Sequence, residues 1–461
     1  MKTDFSIYQS LFSWRYATQS MRELFSESYK RKMWRKVWVA LAKAQASQGL
    51  ISKKELEDIE KYKDEIDIET AQKIEKDLKH DLMAEVRTYA SQAKIGGGKI
   101  HFGATSQDIE DNTDALIFMS ALEIIEKKIK NLLKIWARRI EENKNLVCMA
   151  YTHLQPAEPT TLGYRFSFYA QDLMIDLELL NFVKSQIKGK GMKGAVGNSA
   201  SYVSILGEKA KKLDDDVMNE LKIGSFDITT QVYPRKIDYF VLSLLASIAQ
   251  SLHKFAFDLR IMQSSPFGEL SEPFGEKQVG SSAMPFKRNP QNSERICSLA
   301  RYISGLAKVA WDNAANSLLE RTLDDSASRR IIIPDSFLAT DEILEVCTRV
   351  VDGLMVNKKN IEKNLNSYGP FSALESILLK STKKGANRQI MHEILRTHAL
   401  KVYKEMEDGK GNNLFIYLKK DKEINKYLTP AQIQELSNVR SHIGLAPKKA
   451  AQFAKKIKKQ L

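Results

Sequence analysis

The residues with the clearest capacity for chemistry lie in one glycine- and proline-rich segment, residues 280–290. Small residues there let backbone amides approach a ligand closely, and Ser281 and Ser282 add two hydroxyls. Lys287 supplies a cation and Asn289 an amide side chain. Donors of these types suit a substrate that carries carboxylates. The same composition also fits an ordinary charged surface loop, and composition alone favours that simpler interpretation.

Three segments carry a resemblance to a known family. Residues 281–290, which read SSAMPFKRNP, resemble the signature loop of the fumarase/aspartase superfamily, and specifically that of the adenylosuccinate lyase family, which usually has Tyr or His at the position of Phe286. Residues 152–157 (THLQPA) and 193–198 (KGAVGN) are similar to the other two conserved regions, in the same order along the chain. The resemblance covers roughly residues 15–330 and is weak in the C-terminal part.

The resemblance implies an elimination reaction. Fumarate would leave adenylosuccinate to give AMP, and would leave succinylaminoimidazole carboxamide ribotide (SAICAR) to give AICAR, in purine biosynthesis. This chemistry needs a base, groups that hold carboxylates, and an acid for the departing nitrogen. Matched residue by residue, the family implies Ser281 as the base, His153 as the acid, Glu294 as the carboxylate that orients it and His80 as a second catalytic histidine. Loop geometry decides whether Ser281 or Ser282 reaches the carbon, and the family's alignment favours Ser281.

The resemblance also implies a set of substrate-binding residues. Most of them share donors suited to phosphate or carboxylate groups, above all the planar fork of arginine. The set comprises Arg15, Tyr16, Asp81, Thr105, Ser106, Thr152, Gln231, Lys287, Asn289, Arg295, Arg321, Ser326 and Arg330. Thr105 and Ser106 could equally cap a helix. Around Gln231 the chain reads TQVYPR where its relatives read GQTYTR, so the local backbone is expected to differ there.

Helical periodicity predicts the elements that must position these residues. Apolar residues recur every three or four positions in a first row, Phe118, Leu122, Ile125, Ile129, Leu132, Trp136 and Ile140, and in a second row, Phe166, Ala170, Leu173, Leu177 and Leu180. A third stretch, residues 237–262, is apolar on nearly every side. We therefore predict an all-α protein with a central bundle of long helices, which the resemblance makes a three-domain fumarase/aspartase-like fold. The predicted domains are residues 1–105, 106–356 and 357–461, with the signature loop near 266–292.

A helix that is apolar all round must be buried all round, which indicates helices from other copies of the chain. Together with the resemblance, this implies a homotetramer whose active sites combine segments of different subunits. The substrate expected there is a small nucleotide. The sequence shows neither a metal-ligand set nor a phosphate-cradling glycine motif, so no cofactor and no metal are expected.

Composition bounds the remaining possibilities. The 461 residues include 71 Lys plus Arg against 57 Asp plus Glu, and three scattered cysteines that form neither a disulfide framework nor paired zinc ligands. A reducing cytoplasm is therefore expected. The longest uncharged and largely apolar stretch, residues 239–253, falls short of the ~18 residues of a membrane helix, so no membrane partner is expected.

Two alternatives remain at this stage. The nearest is another lyase of the same superfamily, such as argininosuccinate lyase or fumarase, although Arg15, Tyr16 and the segment 321–330 favour a nucleotide substrate. The other is a basic helical protein that binds nucleic acid, suggested by the net charge of +14. Only the lysine cluster at residues 448–459 supports it, and a lysine-rich cluster is more often a solvated surface, so no nucleic-acid partner is expected.

Overall fold

The computed structural model describes residues 5–461, and helices dominate this part of the chain. The helices are α1 (Gln19–Leu24), α2 (Glu27–Ser47), α3 (Lys53–Lys61), α4 (Ile68–Leu78), α5 (Asp81–Gln92), α6 (Ser106–Asn143), α7 (Leu162–Gln186), α8 (Ala200–Leu206), α9 (Ala210–Leu221), α10 (Lys236–Gln263), α11 (Gln291–Ala315), α12 (Asp324–Asp352), α13 (Lys358–Lys383), α14 (Arg388–Glu407), α15 (Leu414–Lys420), α16 (Pro430–Leu436) and α17 (Ala446–Gln460). The strands are β1 (Val147–Thr152), β2 (Gln155–Thr161), β3 (Leu270–Ser271) and β4 (Met355–Val356). β1 pairs with β2 and β3 with β4, both antiparallel. The predicted all-α class is confirmed.

The two predicted apolar rows lie on α6 and α7 and face the interior. α6 is 38 residues long, and each member of its row is at most 1% exposed. The row on α7 is at most 6% exposed. Because residues three or four apart share one face of a helix, a row of this kind buries a continuous stripe and fixes how the helix is rotated.

The third predicted helix is α10, and it is longer than the apolar stretch counted from the sequence. By length and composition alone it could cross a membrane, and 56% of its most apolar window is buried within the protein. The core helix of a soluble protein has the same character. Val241, Leu244, Ile248 and Ala249 are fully buried, as expected for such a helix.

Contacts divide the chain into two compact units. The first comprises the chain up to Ile129, Asp176–Leu252 and Ser298–Glu345; the second comprises Lys130–Ile175, His253–Cys297 and Val346–Leu461. The predicted domain edges fall at helix starts, since Thr105 directly precedes α6 and Asn357 caps α13 by accepting the N–H of Asn360. The three-domain division itself stays a prediction.

A buried ion pair fixes α5 against α2 in the first unit. The Glu85 carboxylate, which is fully buried, accepts hydrogen bonds from Arg31 at 2.8 Å and from Arg35 at 2.7 Å. Trp38 and Tyr89 pack in the apolar core of the same region. A buried carboxylate bound by two guanidinium groups is strongly directional, so α5 is held in place against α2.

Candidate active site

A cavity of about 460 Å³ in the first unit brings together many of the predicted site residues. Four separate segments of the chain line it. The predicted residues among them are His80, Asp81, Thr105, Ser106, Gln231, Arg321, Ser326 and Arg330. Hydroxyls, guanidinium groups and an imidazole around one cavity form a site for an anionic ligand.

His80 is placed by the helix that follows it. It is the N-cap of α5, and its Nδ1 accepts the N–H of Met83 at 3.5 Å. Its Nε2 lies 3.4 Å from the hydroxyl of Ser106, in the first turn of α6. In the neutral ring an accepting Nδ1 leaves the proton on Nε2, so Nε2 is the nitrogen that donates towards Ser106.

Asp81 and Arg330 form an ion pair at the wall of this cavity. The two groups are 2.8 Å apart, and Asp81 also accepts the N–H of Leu82 at 2.8 Å. Burial acts to raise the pKa of Asp81, but Arg330 and the Leu82 N–H outweigh it and hold that pKa below its ordinary value. Asp81 therefore stays ionised beside an arginine that is otherwise half-exposed.

Arg321 is oriented by a chain of buried ion pairs. It donates to Asp325 at 2.8 Å, and the other oxygen of Asp325 accepts from Arg235 at 2.9 Å. Arg235 in turn donates to Asp111 at 3.0 Å. Asp111, Arg235 and Asp325 are almost fully buried, whereas Arg321 reaches the cavity. Because Asp325 is held in place by these buried ion pairs, the guanidinium of Arg321 that binds it can adopt few orientations.

Asp108 connects the start of α6 to the second conserved region. Its side chain is fully buried and accepts the N–H of Thr105 at 3.0 Å. It also accepts the N–H groups of Lys193 and Gly194, at 3.2 and 3.1 Å, and forms an ion pair with Lys190. The KGAVGN segment therefore holds the backbone of the cavity residues Thr105 and Ser106, although none of the predicted site residues lies in it.

Glu110 is the most perturbed carboxyl in the cavity wall. It also lines an adjoining cavity of about 200 Å³. Burial, followed by the nearby carboxylates of Asp81, Asp114 and Asp111, raises the pKa of Glu110 to about 7, and Arg330 acts in the opposite direction. The carboxyl therefore titrates near neutral pH.

This perturbation predicts a pH-dependent stability. Below about pH 4.5 the Glu110 carboxyl is protonated in both the folded and the unfolded chain, whereas between about 4.5 and 7 only the folded chain keeps the proton. The free energy of unfolding thus falls as pH rises through this window, by about 2 to 3 kcal/mol. We expect the stability difference between Glu110→Gln and wild type to grow in favour of the variant from about pH 5 to about pH 8. Denaturation of both proteins across this range measures it.

Glu123→Gln is the matched control, since Glu123 is exposed on the same helix. Its stability difference from wild type should not change over the same range. A difference for Glu110→Gln that is equally constant would contradict the raised pKa.

The signature loop belongs to the second unit and is closed by its own side chains. The Gly280 carbonyl accepts from Asn289 at 2.9 Å and from Gln291 at 3.2 Å. The backbone of Gly280 lies so close to Lys287 that a Cβ at this position would be 2.0 Å from the Lys287 carbonyl oxygen. Only glycine permits this approach. Asn289, predicted to bind substrate, thus also holds the loop together.

Ser281 and Ser282 differ within this loop. Ser281 is partly buried, and its Oγ accepts the N–H of Met284 at 3.1 Å, whereas Ser282 is exposed. An N–H group that donates to a hydroxyl oxygen stabilises its deprotonated form. The side chain of Lys287 is exposed. The loop geometry therefore favours Ser281 as the more easily ionised hydroxyl.

Glu294 lies in the first turn of α11, and Arg295 follows it. The buried carboxylate of Glu272 accepts the N–H groups of Asn292 and Ser293 and so anchors this turn. Arg295 is partly buried. Glu272 thus fixes the start of α11 and with it the position of Glu294.

His153 occupies a strained turn. It and Leu154 connect β1 to β2 with φ angles of 55° and 59°, a left-handed conformation that non-glycine residues rarely adopt. Thr152 and His153 are both exposed. Strain of this kind is typical of functional sites. The carboxylate of Glu294 lies 4.0 Å from the guanidinium of Arg260. The predicted pairing of Glu294 with His153 stays a prediction.

Arg15 and Tyr16 lie near the N-terminus and do not line the 460 Å³ cavity. The guanidinium of Arg15 lies 5.8 Å from the ring centre of Trp14, and the ring of Tyr16 lies 5.9 Å from that of Phe12. Directly after them, both the N–H and the hydroxyl of Thr18 donate to Asp341. Their role as substrate contacts stays a prediction.

Sequence reasoning missed the residues that position the site. Asp325 lies inside the segment 321–330, yet nothing in the sequence shows that it pairs with Arg235 and Asp111. Asp108 had a local signal, because an acid three residues after Thr105 is typical of a capping box. Glu110 had none, since its pKa depends on neighbours from several elements.

Comparison with known proteins extends the resemblance over nearly the whole chain. A family model described as "Lyase" matches residues 14–305, and one described as "Adenylosuccinate lyase C-terminus" matches residues 370–453, the part in which the sequence motifs are weak. The adenylosuccinate lyase of Schistosoma mansoni is 39% identical over 92% of this chain and 88% of its own length. That of Methanocaldococcus jannaschii is 38% identical over 96% of this chain and 95% of its own length.

Solved structures agree with the predicted fold. A fumarate lyase from Mesorhizobium sp. BNC1 matches with a TM-score of 0.85 at 24% identity, over 97% of this chain and 99% of its own. The 3-carboxy-cis,cis-muconate lactonizing enzyme from Pseudomonas putida matches with a TM-score of 0.86 at 21% identity, over 98% and 99%. At these identities the similarity establishes the fold alone, and the predicted fumarase/aspartase-like fold is confirmed.

Proposed function

This chain belongs to the adenylosuccinate lyase family, and from that premise we propose that it expels fumarate from adenylosuccinate to leave AMP. We propose the same elimination for SAICAR, which leaves AICAR, and a place for both reactions in purine biosynthesis. The observation that carries the proposal is the cavity that gathers Arg321, Ser326, Arg330 and His80 in the first unit. Two guanidinium groups and a hydroxyl around one cavity suit the phosphate of a nucleotide.

The second unit supplies the groups that the elimination itself requires. We assign Ser281 as the base that removes the proton next to the carboxylate, because the Met284 N–H stabilises its oxygen in the charged form. Lys287 and Asn289 would hold the carboxylates as negative charge builds on the carbon. His153 would protonate the nitrogen as its bond to carbon breaks.

An assay of fumarate release decides between this proposal and its nearest alternative. The purified protein should release fumarate from adenylosuccinate, and from SAICAR. Release from argininosuccinate, with none from adenylosuccinate, would place the chain with another activity of the superfamily.

The ion-pair chain behind Arg321 predicts a binding defect. Because Asp325→Asn removes the charge that orients Arg321, we expect affinity for AMP to fall by about 10- to 100-fold, the cost of about 1.5–3 kcal/mol for a hydrogen bond to a charged group. The KM for adenylosuccinate should rise in step, with a smaller change in kcat. Calorimetric titration with AMP and steady-state kinetics measure both.

Asp324→Asn is the matched control, since Asp324 is the exposed acid one residue earlier on α12. It should bind AMP like wild type. If Arg321→Ala already weakens AMP binding, adding Asp325→Asn should weaken it little further, because Asp325 acts through Arg321. Additive losses would mean that Asp325 does not act in this way.

We further propose a homotetramer with active sites shared between subunits. The support is an apolar stripe on α7, where Phe168, Ile175, Leu179 and Phe182 are 50%, 56%, 36% and 54% exposed. Exposed apolar surface of this kind marks a protein interface. The exposed turn at His153 agrees with a residue that completes a neighbour's site. Light scattering should give four times the chain mass of 52.4 kDa.

A cytoplasmic location is part of the proposal. Cys148 and Cys347 are buried free thiols in the described structure. Unpaired cysteines suit a reducing compartment. Fractionation of cells that express the protein would test this.

A further inference from the structure

Outside the site just described, three side chains of metal-ligating type meet in the second unit. They are Glu158 on β2, Glu375 on α13 and His442 in the turn before α17. One ligand atom of each lies within 4.8 Å of the other two. The sequence gives no hint of this cluster, because the three residues come from widely separated segments.

The distances between these three ligand atoms suit a small cation bound between them better than direct hydrogen bonds from His442 to the two carboxylates. The Nε2 of His442 lies 3.8 Å from Glu158 Oε1 and 3.6 Å from Glu375 Oε2, beyond hydrogen-bonding distance. A zinc ion with bonds of about 2.0–2.2 Å separates neighbouring tetrahedral ligand atoms by about 3.3–3.6 Å. The two distances from Nε2 are therefore within a few tenths of an ångström of the separations between ligand atoms of a zinc ion.

A further contact orients the histidine. The hydroxyl of Ser376 lies 3.2 Å from the Nδ1 of His442. Metal-ligating histidines commonly use one ring nitrogen for an outer hydrogen bond of this kind, which aims the other nitrogen at the ion. Ser376 is not itself a ligand, so this contact is a separate sign that Nε2 is presented towards the two carboxylates.

The charges of the cluster also point to a cation. Glu158 and Glu375 are close enough to share a hydrogen bond, which places two acidic groups side by side. Both are about half-exposed, at 55% and 54%, so water can complete the coordination of an ion. One imidazole with two carboxylates is a donor set that suits zinc, whereas magnesium prefers oxygen ligands only.

We propose that Glu158, Glu375 and His442 form a binding site for a divalent transition-metal cation of the zinc type. The same three segments already pack together, through Val147 and Met149 of the hairpin, Leu365 of α13, and Val439 and Ile443 near the C-terminus. A bound ion would clamp these segments to one another. It would stabilise the hairpin that carries His153 without taking part in the reaction, so this site does not depend on the proposed function.

Titration of the purified full-length protein with ZnCl₂, followed by a competing chromophoric chelator, tests the site. We expect one ion per chain in this site and a rise in the thermal midpoint with zinc, because an ion that binds only the folded state stabilises it. MgCl₂ at the same concentration should have no such effect. Thermal stabilisation by both salts alike would overturn the assignment of a nitrogen-containing site.

Variants localise the ion. His442→Ala should abolish the zinc-dependent rise, and Ser376→Ala should weaken zinc binding by about tenfold, the usual effect of losing an outer-shell partner. His392→Ala is the matched control, since His392 is an exposed histidine on α14. It should bind zinc like wild type. Unchanged binding in His442→Ala, or an equal loss in His392→Ala, would overturn the proposal. Circular dichroism of each variant shows that it is folded.

Discussion

Ser281→Ala is expected to lower the rate of fumarate release from adenylosuccinate by about 10²- to 10⁴-fold, the usual contribution of a general base. The physical reason is the hydrogen bond from the Met284 N–H to the Ser281 oxygen, which favours the deprotonated hydroxyl that proton removal needs. AMP affinity and oligomeric state should stay unchanged, because Ser281 makes no contact that these depend on in our proposal. Steady-state kinetics, calorimetric titration with AMP and light scattering measure the three properties.

Ser282→Ala is the natural control. Ser282 is exposed and adjacent in the same loop, so its substitution removes a hydroxyl of the same size from the same segment. We expect near-normal turnover. The reverse pattern, with turnover retained in Ser281→Ala and lost in Ser282→Ala, would show that the other hydroxyl is the base.

His153→Ala is expected to lower kcat by about 10²- to 10⁴-fold, because the departing nitrogen then leaves without its proton donor. Substrate binding should change little, since our proposal assigns the phosphate to residues of the cavity in the first unit. The side chain stands on a strained turn, and alanine adopts that φ no more easily than histidine. Asparagine favours that φ more than alanine does, so an equal loss of turnover in His153→Asn would report the imidazole rather than the turn. Turnover close to that of wild type would exclude His153 as the acid.

Mixing these two inactive variants tests whether sites are shared between subunits. If Ser281 and His153 of one site come from different chains, hybrid tetramers contain some sites with both residues intact, and activity returns after denaturation and co-refolding. If both residues come from one chain, no site in a hybrid has both, and activity stays absent. Each variant refolded alone provides the baseline.

Much of the fold could be predicted from local patterns. The apolar rows on α6 and α7 have the helical period, and each row is buried as predicted. The loop between α10 and α11 was recognisable from its prolines and glycines, and in the structure it contains only the short strand β3. These features depend on neighbours a few residues apart in sequence, which is why periodicity and composition reveal them.

Part of the candidate site could also be predicted from the sequence, through short motifs rather than through periodicity. Matching short motifs selected His80, Ser106, Arg321 and Arg330, and the structure gathers them around one cavity. The motifs could not show what orients these side chains. Asp325 holds Arg321 through contacts that reach back more than two hundred residues to Asp111.

The helical class, the resemblance to the lyase family and the residue types available for an elimination can all be read from the sequence, because they follow from patterns contained within single segments. The titration of Glu110 near neutral pH depends instead on the folded arrangement of the chain, as does the meeting of Glu158, Glu375 and His442. The physical reason is that burial and electrostatic interaction depend on distance in space, and folding brings distant segments within a few ångströms of one another.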